Sequence, residues 1–133
     1  MDFAQKKTPE KKKAKKITAD YLHNSGLYYL QRFAASREQF RAVMLRKIKR
    51  SCLHHPEQAF EPCQEMLDTL IKKFIDSGLL NDDLYTQGAV ASLRRQGKSK
   101  KAIATKLIIR GVSGDLISKK IGEYDAEKGG NGD

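Results

Sequence analysis

Residues that begin and end helices recur along this chain at short intervals. Gly78, Gly97 and Gly111 stand where helical segments end, as residues that tolerate positive φ often do. Segments that alternate β-branched or aromatic with polar residues, which are typical of strands, are missing. The sequence therefore predicts an all-α chain of six short helices. Five of them have a polar residue able to cap the N-terminus, namely Thr18, Ser36, Asn81, Ser99 and Ser113.

The first two helices illustrate how apolar spacing and caps predict bounds and inward faces. The first helix is predicted from Thr18 to about Ala34. The second begins at a capping box formed by Ser36 and Gln39, and it is predicted to end near Ser51. The inward face of the first helix is predicted to consist of Leu22, Gly26, Leu30 and Phe33.

The six predicted helices fall into two groups of three with similar internal order. The segment Ser36–Phe40 aligns with Ser99–Ile103, so that a cap, basic positions and an apolar position recur. In the same register Lys47 aligns with Arg110. The sequence therefore predicts two tandem, helix-turn-helix-like triplets in an extended right-handed or elongated arrangement.

This organisation predicts four segments along the chain. Residues 1–16 are expected to form a disordered basic arm, because they are rich in lysine and lack an apolar period. Residues 17–78 and 79–125 are expected to form the two three-helix repeats. Residues 126–133 are glycine-rich and are expected to be a disordered tail.

The charge is strongly basic and is segregated along the chain. There are 26 Lys and Arg residues against 16 Asp and Glu, which gives a formal net charge of +10. Basic residues concentrate in 1–16, 32–50 and 94–110, whereas 57–83 is acidic. Because a merely solvated surface usually mixes its signs, this segregation favours a polyanionic partner.

The two inner basic blocks coincide with the middle helix of each triplet or adjoin it. The apolar residues occupy one face of these helices, so most of the cations are expected on the outward faces. Such a surface binds phosphates without reading base sequence, although a solvated face is the simpler alternative. The candidate binding residues are Arg37, Arg41, Arg46, Lys49, Arg50, Arg94, Arg95, Lys98, Lys100, Lys101, Lys106 and Arg110.

Other function classes receive little support from the sequence. Cys52 and Cys63 lack the paired spacing of a structural zinc site, and no glycine-rich phosphate loop of the Walker type occurs. No apolar run approaches the length of about 20 residues that spans a membrane, and the N-terminus lacks the apolar stretch of a signal peptide. We therefore expect a cytoplasmic protein that has no membrane contact, no metal, no cofactor and no enzymatic activity.

Several segments resemble the RecX regulatory proteins, which modulate the RecA recombinase. The segment Gly78–Tyr85 is similar to the junction motif of that family, and the resemblance extends over roughly residues 18–122. The other matching positions are Tyr29–Phe33, Ser36, Phe40, Gly97–Ser99, Ile103, Leu107, Gly111 and Asp115–Ile117.

The resemblance implies a chain of tandem three-helix repeats that binds the RecA filament on single-stranded DNA. We further expect a monomer, with double-stranded DNA as an additional partner. It implies modulation of ATP hydrolysis and strand exchange, with inhibition favoured over activation, in recombination, DNA repair and the SOS response. Many relatives carry three repeats, whereas this sequence contains two. The alternative function is a sequence-independent DNA-binding module that makes no contact with the recombinase.

Overall fold

The computed structural model describes residues 14–129, which contain six α-helices and no strand. This confirms the all-α prediction. Residues 1–13 and 130–133, which include most of the predicted arm and half of the predicted tail, lie outside the described residues. The helices are α1 Ala19–Arg32, α2 Arg37–His54, α3 Phe60–Asp76, α4 Asp82–Arg95, α5 Lys100–Ile109 and α6 Gly114–Glu127.

Side-chain caps begin five of the six helices, as the sequence predicts. In each case the capping oxygen accepts a hydrogen bond from the backbone N–H three residues later, which would otherwise be unpaired. Ser36 and Gln39 form the complete capping box at the start of α2. Helix α3 is the exception, since Ala59 precedes it and has no capping side chain.

Helices α1–α3 enclose the larger of two apolar cores. Phe40 and Phe74 lie at its centre, with ring centroids 5.8 Å apart. Helix α1 approaches them closely because Gly26 has no side chain: a Cβ there would lie 2.9 Å from Phe40 Cζ. Leu22 is completely buried beside them.

Helices α4–α6 enclose a second, separate core. Its buried side chains are Val90, Leu93, Ile103, Leu107, Val112, Ile117 and Ile121. The helix pairs that pack extensively against one another all lie within α1–α3 or within α4–α6. The chain therefore has two groups of three helices, each with its own interior.

The predicted helix ends differ from the structure at several points. Helix α1 ends at Arg32, and Phe33 has an extended backbone that leaves it 52% exposed instead of on the inward face. Helix α2 continues to His54, one turn beyond Ser51. Helix α6 continues to Glu127, into the segment that the sequence assigned to the tail.

The two groups meet where the C-terminal end of α5 reaches the N-terminal end of α2. Ser36 Oγ donates to the carbonyl oxygen of Arg110 at 2.6 Å while it accepts from the backbone N–H of Gln39. Beside it, the backbone N–H of Arg37 donates to Asp82 Oδ1 at 2.8 Å. We call this contact between Ser36–Glu38, Asp82 and Arg110–Gly111 the joint.

Gly111 is required at the joint for two separate reasons. Its φ of 85° lies in the left-handed region, where a side chain is strained. In addition, a Cβ at this position would lie 2.3 Å from Glu38 Cβ. Gly97 has a similar φ of 83° but has nothing within 4 Å of its Cβ position. A comparison of substitutions at Gly97 and Gly111 therefore separates the effect of backbone strain from the effect of steric contact across the joint.

We expect Gly111→Ala to be more destabilising than Gly97→Ala. Both substitutions incur the left-handed strain, about 1–2 kcal/mol. Only Gly111→Ala also forces α5 away from α2, which adds about 1 kcal/mol or more. Urea unfolding followed by circular dichroism measures both free energies. Adding Glu38→Gly to Gly111→Ala should restore part of the additional stability that Gly111→Ala loses relative to Gly97→Ala. If the two alanine variants lose the same free energy of unfolding, the steric contact between α5 and α2 at the joint is contradicted.

Candidate nucleic-acid interface

The last three turns of α2 carry an exposed group of cations. Arg46, Lys47, Lys49 and Arg50 are all exposed, and none of them has an ion-pair partner within residues 14–129. We call these four residues the α2 cluster. Lys47 was not among the candidate residues from the sequence, although it lies in the same basic block. Its place between Arg46 and Lys49, outside the buried positions Met44 and Ile48, is the signal that could have found it.

A second exposed group of cations surrounds the start of α5. Lys98, Lys100, Lys101 and Lys106 are exposed, and we call them the α5 cluster. The first turn of α5 contains no acidic residue, although acids are the residues that a helix N-terminus favours. Lysines in that turn work against the helix dipole, so helix stability does not account for them.

Arg94 faces the interior of the second helix group instead of solvent. Its Nε lies 3.1 Å from Asp125 Oδ1 and its Nη2 lies 2.6 Å from Oδ2, which makes a two-pronged ion pair between α4 and α6. The two side chains are only 12% and 17% exposed. The adjacent Arg95 is exposed. The sequence put both arginines in one candidate surface, but their environments are opposite.

Three further candidate residues hold the helices near the joint. The Arg37 guanidinium lies 3.6 Å from Asp82, and Arg41 forms an ion pair with Asp68 on α3. Arg110 is half-buried and donates to the hydroxyl of Tyr85 at 3.2 Å. These contacts use part of each cation's hydrogen-bonding capacity inside the protein.

The joint determines how the two exposed clusters are arranged. The C-terminal end of α5 contacts the N-terminal end of α2, so Arg46 and Lys101 lie well away from the joint, whereas Lys106 lies about one turn from it. Arg46 is about 14 Å along α2 from Arg37, and Lys101 is about 14 Å along α5 from Arg110, at 1.5 Å per residue. The cations therefore form two patches with the joint between them. Such patches can neutralise phosphates at two places on one strand without reading its bases.

Comparison with known proteins identifies the relationship of this chain. The curated protein "Regulatory protein RecX" of Myxococcus xanthus (strain DK1622) is 36% identical to it over 123 residues, which is 92% of this chain. The chain belongs to the RecX family. It spans 65% of the length of that relative. No protein-family model matches the chain, and no solved structure matches it.

The resemblance seen in the sequence is thus confirmed, and its motif residues have structural roles. In the segment Gly78–Tyr85, on which the resemblance in the sequence rests, Gly78 ends the first helix group with a φ of 86°. Leu80 is buried in the first core, and Asn81 caps α4. The segment therefore joins the two groups of helices.

Three observations on the described residues concern metal ligands, thiols and membrane-spanning helices. Within 14–129, no three His, Cys, Asp or Glu side chains converge as metal ligands. Burial, together with the neighbouring Cys52, raises the pKa of the Cys63 thiol, which keeps it protonated and weakly nucleophilic. None of the described helices combines the length and apolar character needed to cross a bilayer.

Proposed function

We propose that this protein is a non-enzymatic, cytoplasmic regulator that binds the RecA recombinase filament on single-stranded DNA and inhibits its ATPase and strand-exchange activities. The similarity to a regulatory RecX protein over 92% of the chain carries the proposal. It acts as a monomer without a cofactor, and double-stranded DNA is a further ligand.

The two basic clusters provide the contacts with the filament. The α2 and α5 clusters together contain eight exposed cations on either side of the joint. Their field speeds the approach of the protein to a polyanion, and contacts at two patches reinforce each other because the second becomes intramolecular. A regulator held at two points along the filament restrains the changes that accompany ATP hydrolysis.

The ATPase assay is the direct test of this function. Purified protein is titrated into recombinase that is saturated with single-stranded DNA at low salt. We expect the rate of ATP hydrolysis to fall well before the protein equals the recombinase in amount, since one bound regulator restrains several neighbouring protomers. An unchanged rate at equimolar protein would contradict the proposal.

The exposed clusters also favour a second candidate, a sequence-independent DNA-binding module that makes no contact with the recombinase. Retention of the recombinase from a nuclease-treated extract separates the two. The first function requires that the immobilised protein still retains the recombinase after nuclease treatment, either without DNA or with only the DNA that the filament shields from the nuclease. The second requires that retention disappears with the nucleic acid, while binding to naked single-stranded DNA persists.

A further inference from the structure

Tyr28 on α1 is an aromatic residue that the first core leaves at the surface. The next residue, Tyr29, packs against that core, with its ring centroid 6.3 Å from that of Phe40. Tyr28 is instead 62% exposed. An aromatic side chain stabilises a fold mainly through the area that it buries, so the exposed ring of Tyr28 contributes little to the stability of α1.

Arg32 contacts the ring of Tyr28 from one turn further along α1. The guanidinium carbon lies 5.3 Å from the ring centroid, and Nη1 donates to the Tyr28 hydroxyl at 3.4 Å. No carboxylate within residues 14–129 forms an ion pair with Arg32. The cation therefore covers part of the ring and leaves the remaining aromatic surface accessible.

The exposed face of α1 around this pair carries amides and a cation. Its members follow the helical spacing i, i+4, i+7 and i+8, namely Asn24, Tyr28, Gln31 and Arg32. Residues 21–56 contain a single acid, which lies at the joint. Because amides donate to and accept from base edges and the guanidinium attracts phosphate, the face suits a nucleotide.

This face ends near the joint. Arg32 is four residues before Ser36, so even a fully extended chain keeps their Cα atoms within about 14 Å. Tyr28 is about 6 Å further back, one turn along α1. Tyr28 therefore lies within about 20 Å of the place where the helices that carry the two basic clusters meet.

We propose that Tyr28 and Arg32 form a base-stacking site, in which one unpaired base of single-stranded DNA lies against the Tyr28 ring. The inference rests on the single-stranded DNA binding in the proposed function and adds a contact that phosphate binding does not supply. Stacking accepts any base, since every base has a π face, but it requires that the base is unpaired. The site therefore favours single strands over duplexes, which basic patches alone do not distinguish.

The first test compares three variants by anisotropy with fluorescent single-stranded DNA. Tyr28→Ala removes the ring, whereas Tyr28→Phe keeps it. The matched control is Leu84→Ala on α4, because Leu84 is also 62% exposed and has no aromatic face. Circular dichroism checks that all three variants keep the helical content of the parent.

Tyr28→Ala should weaken binding about 5- to 150-fold, the range that one stacked base contributes. Its salt slope should equal that of the parent, because no phosphate contact is lost. Tyr28→Phe and Leu84→Ala should bind like the parent. An unchanged affinity for Tyr28→Ala, or an equal loss for Tyr28→Phe, would overturn the proposal.

The second test changes the DNA. An abasic strand of the same length carries the same phosphates without bases, and a duplex keeps its bases paired. Tyr28→Ala should bind each of these two ligands as tightly as the parent does, since neither offers an unpaired base. If Tyr28→Ala loses as much affinity for the abasic strand as for the normal one, Tyr28 does not contact a base and the proposal is wrong.

A tryptophan reporter measures the stacking directly. The sequence contains no tryptophan, so Tyr28→Trp places a single indole at the site. Its emission should fall when unlabelled single-stranded DNA binds and stay constant with the abasic strand. The control is Tyr124→Trp on α6, where Lys128 lies 5.6 Å from the ring centroid in a similar pair. Equal quenching at the two positions would contradict a specific site at Tyr28.

The outcomes separate this inference from the function on which it rests. If the parent binds single-stranded DNA and Tyr28→Ala matches it, only the stacking proposal fails. If the parent does not bind single-stranded DNA, the DNA-binding part of the proposed function fails and the stacking proposal with it. If Tyr28→Ala keeps its DNA affinity but no longer retains the recombinase, Tyr28 contacts protein and the stacking proposal is wrong.

Discussion

Reversing the charge of the α2 cluster should weaken binding to single-stranded DNA by two to three orders of magnitude at low salt. The variant carries Arg46→Glu, Lys49→Glu and Arg50→Glu, all at exposed positions. Loss of three phosphate contacts lowers the salt slope by about 2, which between about 50 mM and about 1 M salt corresponds to several hundred-fold in affinity. Repulsion by the new carboxylates adds to this loss. Anisotropy titrations at several salt concentrations measure the dissociation constant and its salt slope.

A matched control separates local contacts from net charge. Changing Lys72, Lys73 and Lys119 to Glu alters the net charge by the same amount on other helices. Circular dichroism should show that both triple variants keep the helical content of the parent, because surface substitutions rarely change stability by more than about 0.5 kcal/mol each. If the control weakens binding as much as the α2 variant, the protein acts through its overall charge and the cluster has no special role.

The α5 cluster provides an independent comparison. Lys100→Glu, Lys101→Glu and Lys106→Glu should reduce the salt slope by a similar amount on a long strand. In the proposed function one strand contacts both clusters, and the joint is where the helices that carry them meet. A long strand that is insensitive to one of the two triple variants would mean that only one patch binds DNA.

The fold could be read from the sequence because its determinants are local. A cap such as Asn81 acts on a backbone group three residues away, and a helix end such as Gly97 depends on its own φ. Apolar spacing then predicts which face is buried, as for Ile103 and Leu107 in α5. The prediction for Phe33 was wrong because α1 ends one residue earlier, and a helical period no longer describes its direction.

The candidate site could be predicted only in part, since charge pairing depends on residues far apart in sequence. Arg94 and Asp125 are separated by 31 positions, and the Ser36–Arg110 contact at the joint spans 74. A run of cations in the sequence indicates a basic segment. It does not indicate which of these cations form ion pairs within the folded chain. Lys47 shows the opposite case: it was not among the sequence candidates, yet the structure shows it exposed beside Arg46 and Lys49.

Substitution of Arg94 should destabilise the protein far more than the same change at Arg95. In Arg94→Leu, Asp125 remains largely buried without its two-pronged partner, which costs about 3–5 kcal/mol in the free energy of unfolding. Arg95→Leu removes an exposed cation from the next position of α4 and should change the stability by about 0.5 kcal/mol or less. Urea unfolding of the two variants measures the difference.

A double variant and its salt slope test whether Arg94 has a structural role and makes no contact with DNA. Arg94→Leu combined with Asp125→Leu should recover most of the lost stability, because a well-packed apolar pair replaces the buried charges without leaving one unpaired. In that restored background the salt slope for single-stranded DNA should match the parent, since Arg94 lies inside the second helix group and makes no phosphate contact. A slope reduced by about 0.7 would instead place Arg94 on the binding surface and contradict the assignment.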